Sequence, residues 1–177
     1  MDSSRQLTVL GIDPGYDRLG FSVISFRLQA KNYVANITDV LKSIQIKELG
    51  IITTNKNHDD MDRLRELGVS VKNLFRSYVF DYVFIEELFW GRNVTNALKV
   101  GMVIGIILNI LPQKTKLITV HPTKIKKFIT GNGRSNKKAV EVALKKRLKI
   151  DFQAIDDAVD ALALAYYGIY WILTHKV

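Results

Sequence analysis

Apolar residues recur along this chain with two alternating periods, and each change of period marks an element. Residues 7–12 form a short apolar run ending in Asp13-Pro14-Gly15, which predicts a buried strand followed by a turn. FSVISF at 21–26 predicts the returning strand, so the first two strands form a hairpin. Residues 32–38 and 50–54 are candidates for a third strand, and 35–48 carries the weakest pattern. Between Asp60 and Tyr78, the residues Met61, Leu64, Leu67, Val71, Leu74 and Phe75 fall at helical spacing, with Asp59 or Asp60 as the cap. A buried strand over 82–85 ends at Glu86, and 93–111 predicts a helix stopped by Pro112. A strand over 116–120 and a short helix over 124–129 follow. After Gly131-Asn132-Gly133, Ser135 is the expected cap of a helix reaching Leu148, with Val140, Ala143, Leu144 and Leu148 turned inward. The last helix covers 154–173. Hairpin strands first, then strands alternating with helices, predict an α/β fold: a mixed β-sheet flanked by α-helices. No repeat, low-complexity tract or linker interrupts the pattern, so 1–177 reads as a single domain of ordinary size.

Composition narrows the classes. Hydrophobic content of 47% and charged content of 24% are those of a globular chain. The longest apolar run, 100–111, is broken by Asn109 and has the length of a buried helix, so no membrane span is expected. The polar start of the chain lacks the basic and apolar regions of a signal peptide, and there is no cysteine for a disulfide or a thiolate zinc site. A cytoplasmic protein is the expectation. The net charge of +9 is unevenly spread: residues 112–150 carry +11, with Glu141 the sole acid there. Such a block suits a polyanion-facing surface, and a solvated helix face is the plainer reading.

The acids fall at element ends. Asp13 closes the first strand, Glu86 closes another, and Asp157 and Asp160 lie three apart on one side of the last helix. Carboxylates beside buried runs are costly unless partnered, and a cluster of them repels itself unless cations neutralise it. Hard oxygen ligands suit Mg²⁺ or Mn²⁺, and two such ions about 4 Å apart can activate water against a phosphodiester. That chemistry needs no histidine base, in keeping with three histidines in the chain. Taken singly, Asp13-Pro14-Gly15 is a good turn, and the neighbours Glu87 and Asp156 leave open which acid of each pair faces inward.

Four blocks resemble one family. LGIDPGYDRLGFSVI (10–24) is similar to the opening hairpin of RuvC-type Holliday junction resolvases, of RNase H-like fold. VFIEELFWGRNVTNALKVGMVIGII (83–107), HPTKIKKFITGNGRSNKKAV (121–140) and DDAVDALALA (156–165) resemble their later blocks, in the same order and at similar spacing. The resemblance implies catalytic, metal-binding Asp13, Glu86, Asp157 and Asp160, preferring Glu86 to Glu87 and Asp157 to Asp156. It implies two Mg²⁺ ions per active site, with Mn²⁺ able to substitute. Phe89 matches an aromatic that inserts near the cut, with a core phenylalanine as the plainer reading. Lys126 and Lys137 match lysines that steady the scissile phosphate. Lys124, Lys127, Arg134 and Lys138 are the further DNA-binding residues expected from the basic block. The implied protein is a homodimer that nicks paired strands of a four-way junction in a bacterial or phage-infected cell. Ser135, the long polar segment 27–48 and the bulky Leu88-Phe89-Trp90-Gly91 depart from the common pattern and suit a phage-type member. An RNase H-like nuclease acting on other nucleic acids, or a non-catalytic junction-binding module, are the rival readings. The chain is too short for a two-lobed actin-like ATPase, which shares a GIDPG-like loop.

Overall fold

Five strands form one sheet in the order β3-β2-β1-β4-β5, in a computed structural model that describes residues 4–29, 37–88, 94–153 and 155–175. β1 (Ser4–Asp13) and β2 (Arg18–Gln29) pair antiparallel as the expected hairpin, joined by a short turn. After α1 (Ile37–Ser43), the third strand β3 (Gln45–Thr53) pairs antiparallel with β2 at one edge of the sheet. Helix α2 (Asp60–Ser77) leads to β4 (Tyr82–Glu86), parallel to β1; α3 (Val94–Ile110) leads to β5 (Lys116–Val120), parallel to β4. Three helices complete the chain: α4 (Pro122–Thr130), α5 (Lys137–Leu148) and α6 (Asp156–Thr174).

The period-two alternation of the strands divides the apolar residues between two cores. Leu7, Val9, Ile24, Phe26, Phe84 and Val120 face a core completed by α4, α5 and α6. Leu10, Ile12, Leu19, Phe21, Val23, Val83 and Ile85 face the other, against Leu67, Val71 and Leu74 of α2 and Val103 and Ile107 of α3. Each fully buried aliphatic or aromatic side chain contributes about 1.5–3 kcal/mol, so the two layers hold the sheet from both sides. Helix α6 is apolar almost all round, with Ala158, Val159 and the residues from Ala161 to Tyr166 all buried, because it lies between the sheet and α4–α5.

Two glycines set how closely α6 approaches. A Cβ built on Gly11 would lie 2.1 Å from the Ala161 carbonyl oxygen, and one on Gly20 would lie 2.0 Å from that of Asp157. The helix backbone therefore rests on the hairpin where those strands have no side chain.

Several boundaries differ from expectation. β3 begins at Gln45, well before residue 50, because its first half is a polar edge strand without an apolar signature. Residues 37 and 38 are helical, so the alternative strand over 32–38 does not hold at its end; 32–36 lie outside the described residues. Asn136, not Ser135, caps α5 by accepting from the Ala139 N–H, because the Ser135 hydroxyl is engaged with Thr130 Oγ1 at 2.7 Å. Asp59 caps α2. Helix α4 starts at Pro122, where a missing N–H costs nothing, with His121 as its cap.

Candidate active site

Strand parity brings Asp13 and Glu86 together. On the α6 side β1 presents Leu7, Val9 and Gly11, so Asp13 comes next on that side. β4 presents Tyr82, Phe84 and then Glu86 on the same side. The parallel register runs Val9↔Tyr82 through Ile12↔Ile85, which leaves Asp13 and Glu86 as the following pair at the carboxyl ends of adjacent strands. Glu87 has the opposite parity and is exposed.

The other two acids come down from above. Asp157 and Asp160 lie in the opening turns of α6, whose backbone sits on Gly20, the antiparallel partner of Asp13. Asp156, one residue away, is exposed. No side chain among the described residues caps the start of α6, so the partial positive charge of that helix end is directed at its acids and at the strand ends.

Electrostatics show how tightly these groups meet. Burial, and after it the charges of Glu86, Asp160 and Asp157, together push the Asp13 carboxyl up from 3.8 to about 7, opposed by Lys137. Burial, then Asp160, also raises Glu86, while Lys126, Lys137 and His121 pull the other way. The Lys137 ammonium sits 2.8 Å from Asp160 Oδ2 and 3.9 Å from Asp157 Oδ1. Burial disfavours its charge, but the hydrogen bond and field of Asp160, with Asp157 and Asp13, raise its pKa overall. Arg18 Nε lies 2.9 Å from Asp157 Oδ2 without the alignment of a hydrogen bond, and that buried oxygen accepts none among the described residues. As placed, no three acidic or histidine side chains among the described residues close into a ready cation cage. Lys137 and Arg18 supply the positive charge there instead.

The donor set nevertheless fits a hard divalent cation: four carboxylates from three elements, one of them strongly disfavoured as an anion, and a buried oxygen lacking a donor. Of the basic residues expected from sequence, Lys137 stands inside the cluster, and Lys126 is close enough for its charge to act on Glu86. Lys124, Lys127 and Arg134 are exposed, and Lys138 pairs with Glu141 at 2.9 Å along its own helix. Phe89 lies outside the described residues. Arg18 and His121 were not anticipated. Arg18 shares the strand parity of Gly20, and His121 directly follows Val120, the register partner of Glu86. Those two relations were available once the strands were paired.

The sequence profile of the family described as crossover junction endodeoxyribonuclease RuvC matches residues 9–167. The chain belongs to the RuvC family. A RuvC from Petrotoga mobilis is 35% identical over 162 residues, covering 90% of this chain and 91% of the relative. One from Thermosipho melanesiensis is likewise 35% identical, covering 90% and 95%. Among solved structures, Thermus thermophilus RuvC in complex with a Holliday junction substrate superposes with a TM-score of 0.76 at 22% identity, covering 94% of this chain and 95% of that one. The mixed five-stranded sheet flanked by helices is thus the RNase H-like fold of RuvC. No helix among the described residues is long and apolar enough to cross a bilayer.

Proposed function

We propose that this chain is the family's crossover junction endodeoxyribonuclease in action as well as descent, resolving four-way DNA junctions by phosphodiester hydrolysis. One observation carries the reading: Asp13, Glu86, Asp157 and Asp160 come together at one end of the sheet, where burial first and then the charges of the other three acids push Asp13 up to about 7. A site built to concentrate negative charge, flanked by Lys137, Arg18 and Lys126, suits a metal-assisted cut in a polyanion.

Asp13, Glu86, Asp157 and Asp160 would hold Mg²⁺, two ions per site with Mn²⁺ as a substitute. Bound there, the metal supplies Lewis-acid stabilisation of the phosphoryl oxygens and a lowered pKa for attacking water. The rigid strand ends and the glycine-seated helix fix where the carboxylates stand. Lys137, ion-paired with Asp160, would set its ammonium beside the scissile phosphate, where positive charge is worth most as negative charge develops. Lys126 acts on the Glu86 side, and Arg18 holds Asp157. Lys124, Lys127, Arg134 and Lys138 make phosphate contacts further from the cut, so affinity falls steeply with salt. Phe89 is proposed to contact the DNA near the cut.

The working unit is a homodimer, since a four-way junction presents two equivalent strands. The α3 surface supports this. Leu98, Met102 and Leu108 are about half exposed, Val94 more so, and neither Gly101 nor Gly105 is met closely by the chain's own sheet. An exposed apolar helix face with small residues suits a second copy. The setting is the cytoplasm of a bacterial or phage-infected cell.

The test compares four substrates (four-way junction, fork, RNA–DNA hybrid, linear duplex) with Mg²⁺ and with chelator. Paired nicks in the junction, dependent on the cation, are expected. Preference for the hybrid or linear duplex would move the chain to another RNase H-like activity.

A further inference from the structure

The turn that joins Asp13 to Arg18 is held from behind by a cluster that no part of the proposed chemistry uses. Tyr16, at the middle of the turn, is buried on the α2–α3 side of the sheet, opposite α6. Its hydroxyl donates to Asp60 Oδ1 at 2.6 Å, and Lys99 of α3 donates to the same oxygen at 2.9 Å. Two cations lie against its ring, the Arg63 guanidinium 4.4 Å and the Lys99 ammonium 4.5 Å from the centroid. Arg63 is buried, ion-pairs with Asp17 and donates twice to Thr54 Oγ1, at 3.0 and 2.8 Å. Thr54 in turn donates through Oγ1 to the Tyr16 carbonyl and through its N–H to the Asp17 carbonyl, both at 3.3 Å. The turn closes on itself with the Gly15 N–H donating to the Asp13 carbonyl at 3.0 Å.

The turn is therefore tied to the carboxylate site at its two ends and to this cluster at Tyr16 and Asp17. Its two ends, Asp13 and Arg18, both act on the acids of the site, Asp13 directly and Arg18 through Asp157. Its middle is gripped by Thr54 just past the end of β3, by two residues from the start of α2 and by one from α3. A purely packing role would be met by an apolar side chain at Tyr16. Instead the ring is buried with its hydroxyl on a carboxylate, and burial and that hydrogen bond hold the phenol up at about 12, so it remains a donor.

We infer that Tyr16, Asp60, Arg63 and Lys99 form a positioning cluster, which fixes the Asp13–Arg18 turn so that both ends bear on the same carboxylates. The inference rests on the proposed site for its function, but its test does not require cleavage. Lys99 also ties the turn to α3, so the face offered to a second copy is mechanically joined to Asp13.

The experiment uses the full chain with Tyr16→Phe, which keeps the ring and deletes one hydroxyl, Lys99→Met, which keeps most of the stem, and the pair combined. Mn²⁺ alone is titrated by calorimetry without DNA, thermal melting is followed with chelator present, and single-turnover junction cleavage is timed. Tyr16→Phe is expected to weaken Mn²⁺ binding about threefold to tenfold and to slow cleavage about tenfold, with junction affinity within about twofold of the parent. Melting should shift by no more than about 3 °C. The combined variant should lose less than the product of the single effects, since both act through Asp60. Mn²⁺ affinity and cleavage rate unchanged in both single variants would overturn the inference, as would losses that track melting temperature alone. In a parent that binds Mn²⁺ but leaves junctions whole, the nuclease reading falls, and the Mn²⁺ comparison by itself still decides the cluster.

Discussion

The carbonyl of Asp157 rests on the α-carbon of Gly20, with room for a hydrogen there and none for a methyl group: a Cβ would stand 2.0 Å from the oxygen and 2.4 Å from its carbon. The atoms in the way are helix backbone, which cannot rotate aside. Since Gly20 is the strand partner of Asp13, this contact sets the height of Asp157 above Asp13. Gly20→Ala should lift the start of α6, lower cleavage by at least about a hundredfold, and destabilise the fold by about 1–3 kcal/mol. Denaturant unfolding beside single-turnover cleavage checks both. Near-parental cleavage would mean that the height of α6 does not matter to the site.

The metal-free protein should be strained by its own acids. A carboxyl whose folded pKa is raised to about 7 holds its proton longer in the native state than in the unfolded chain, where it titrates near 3.8. Stability on this account is greatest below the lower value, declines as pH rises between the two, and is fully lost above the higher. Asp13→Asn, which cannot ionise, should therefore melt higher than the parent at pH 8 in chelator, by a ceiling on the order of 4 kcal/mol, with the gain vanishing toward pH 4. Melting curves across that range decide it. A variant no more stable than its parent at pH 8 would contradict the raised Asp13.

Much of this arrangement was legible in the sequence, for a physical reason. Asp13 and Glu86 each follow an apolar run whose parity is fixed by burial, and helical spacing alone places Asp157 and Asp160 on one side. What failed were features without apolar periodicity. The first half of β3 is an edge strand with exposed Gln45, Lys47 and Glu48, and α1 is too short to show a repeat. The cap of α5 passed from Ser135 to Asn136 because a tertiary hydrogen bond to Thr130 claimed the serine. Arg18, His121 and the grip on Tyr16 depend on pairing of residues far apart in sequence, which no window along the chain contains.

Lys137 is ion-paired with the acids proposed to hold the metal, so it should compete with it. Replacing its ammonium by Lys137→Met leaves Asp160 and Asp157 without that ion pair and should tighten Mn²⁺ binding by roughly fivefold, the worth of a half-exposed pair. Cleavage should fall by about a hundredfold at the same time, because the charge facing the phosphate is gone. Opposite movement of the two quantities, by calorimetry and single-turnover kinetics, is the signature. Weaker Mn²⁺ binding would place Lys137 in support of the site and not in competition with it.

The apolar face of α3 should be an interface. Leu98→Glu or Met102→Glu puts a carboxylate on a half-exposed position that folding does not require to be apolar. Self-association measured by sedimentation should weaken at least about tenfold, with melting at low concentration little changed, since a charge buried at an interface is costly. An unaltered sedimentation profile would remove α3 from the contact.

The central claim is that these four carboxylates bind the cation which cuts branched DNA. Its most direct measurement is a four-way junction incubated in Mg²⁺ with the parent and with Asp13→Asn, scoring binding by gel shift and nicking on a denaturing gel. The parent should introduce paired nicks, and the variant should bind the junction comparably while cutting at least about a thousandfold more slowly. A variant that nicks at the parental rate would show that Asp13 holds no essential metal, and the account built on this site would be wrong.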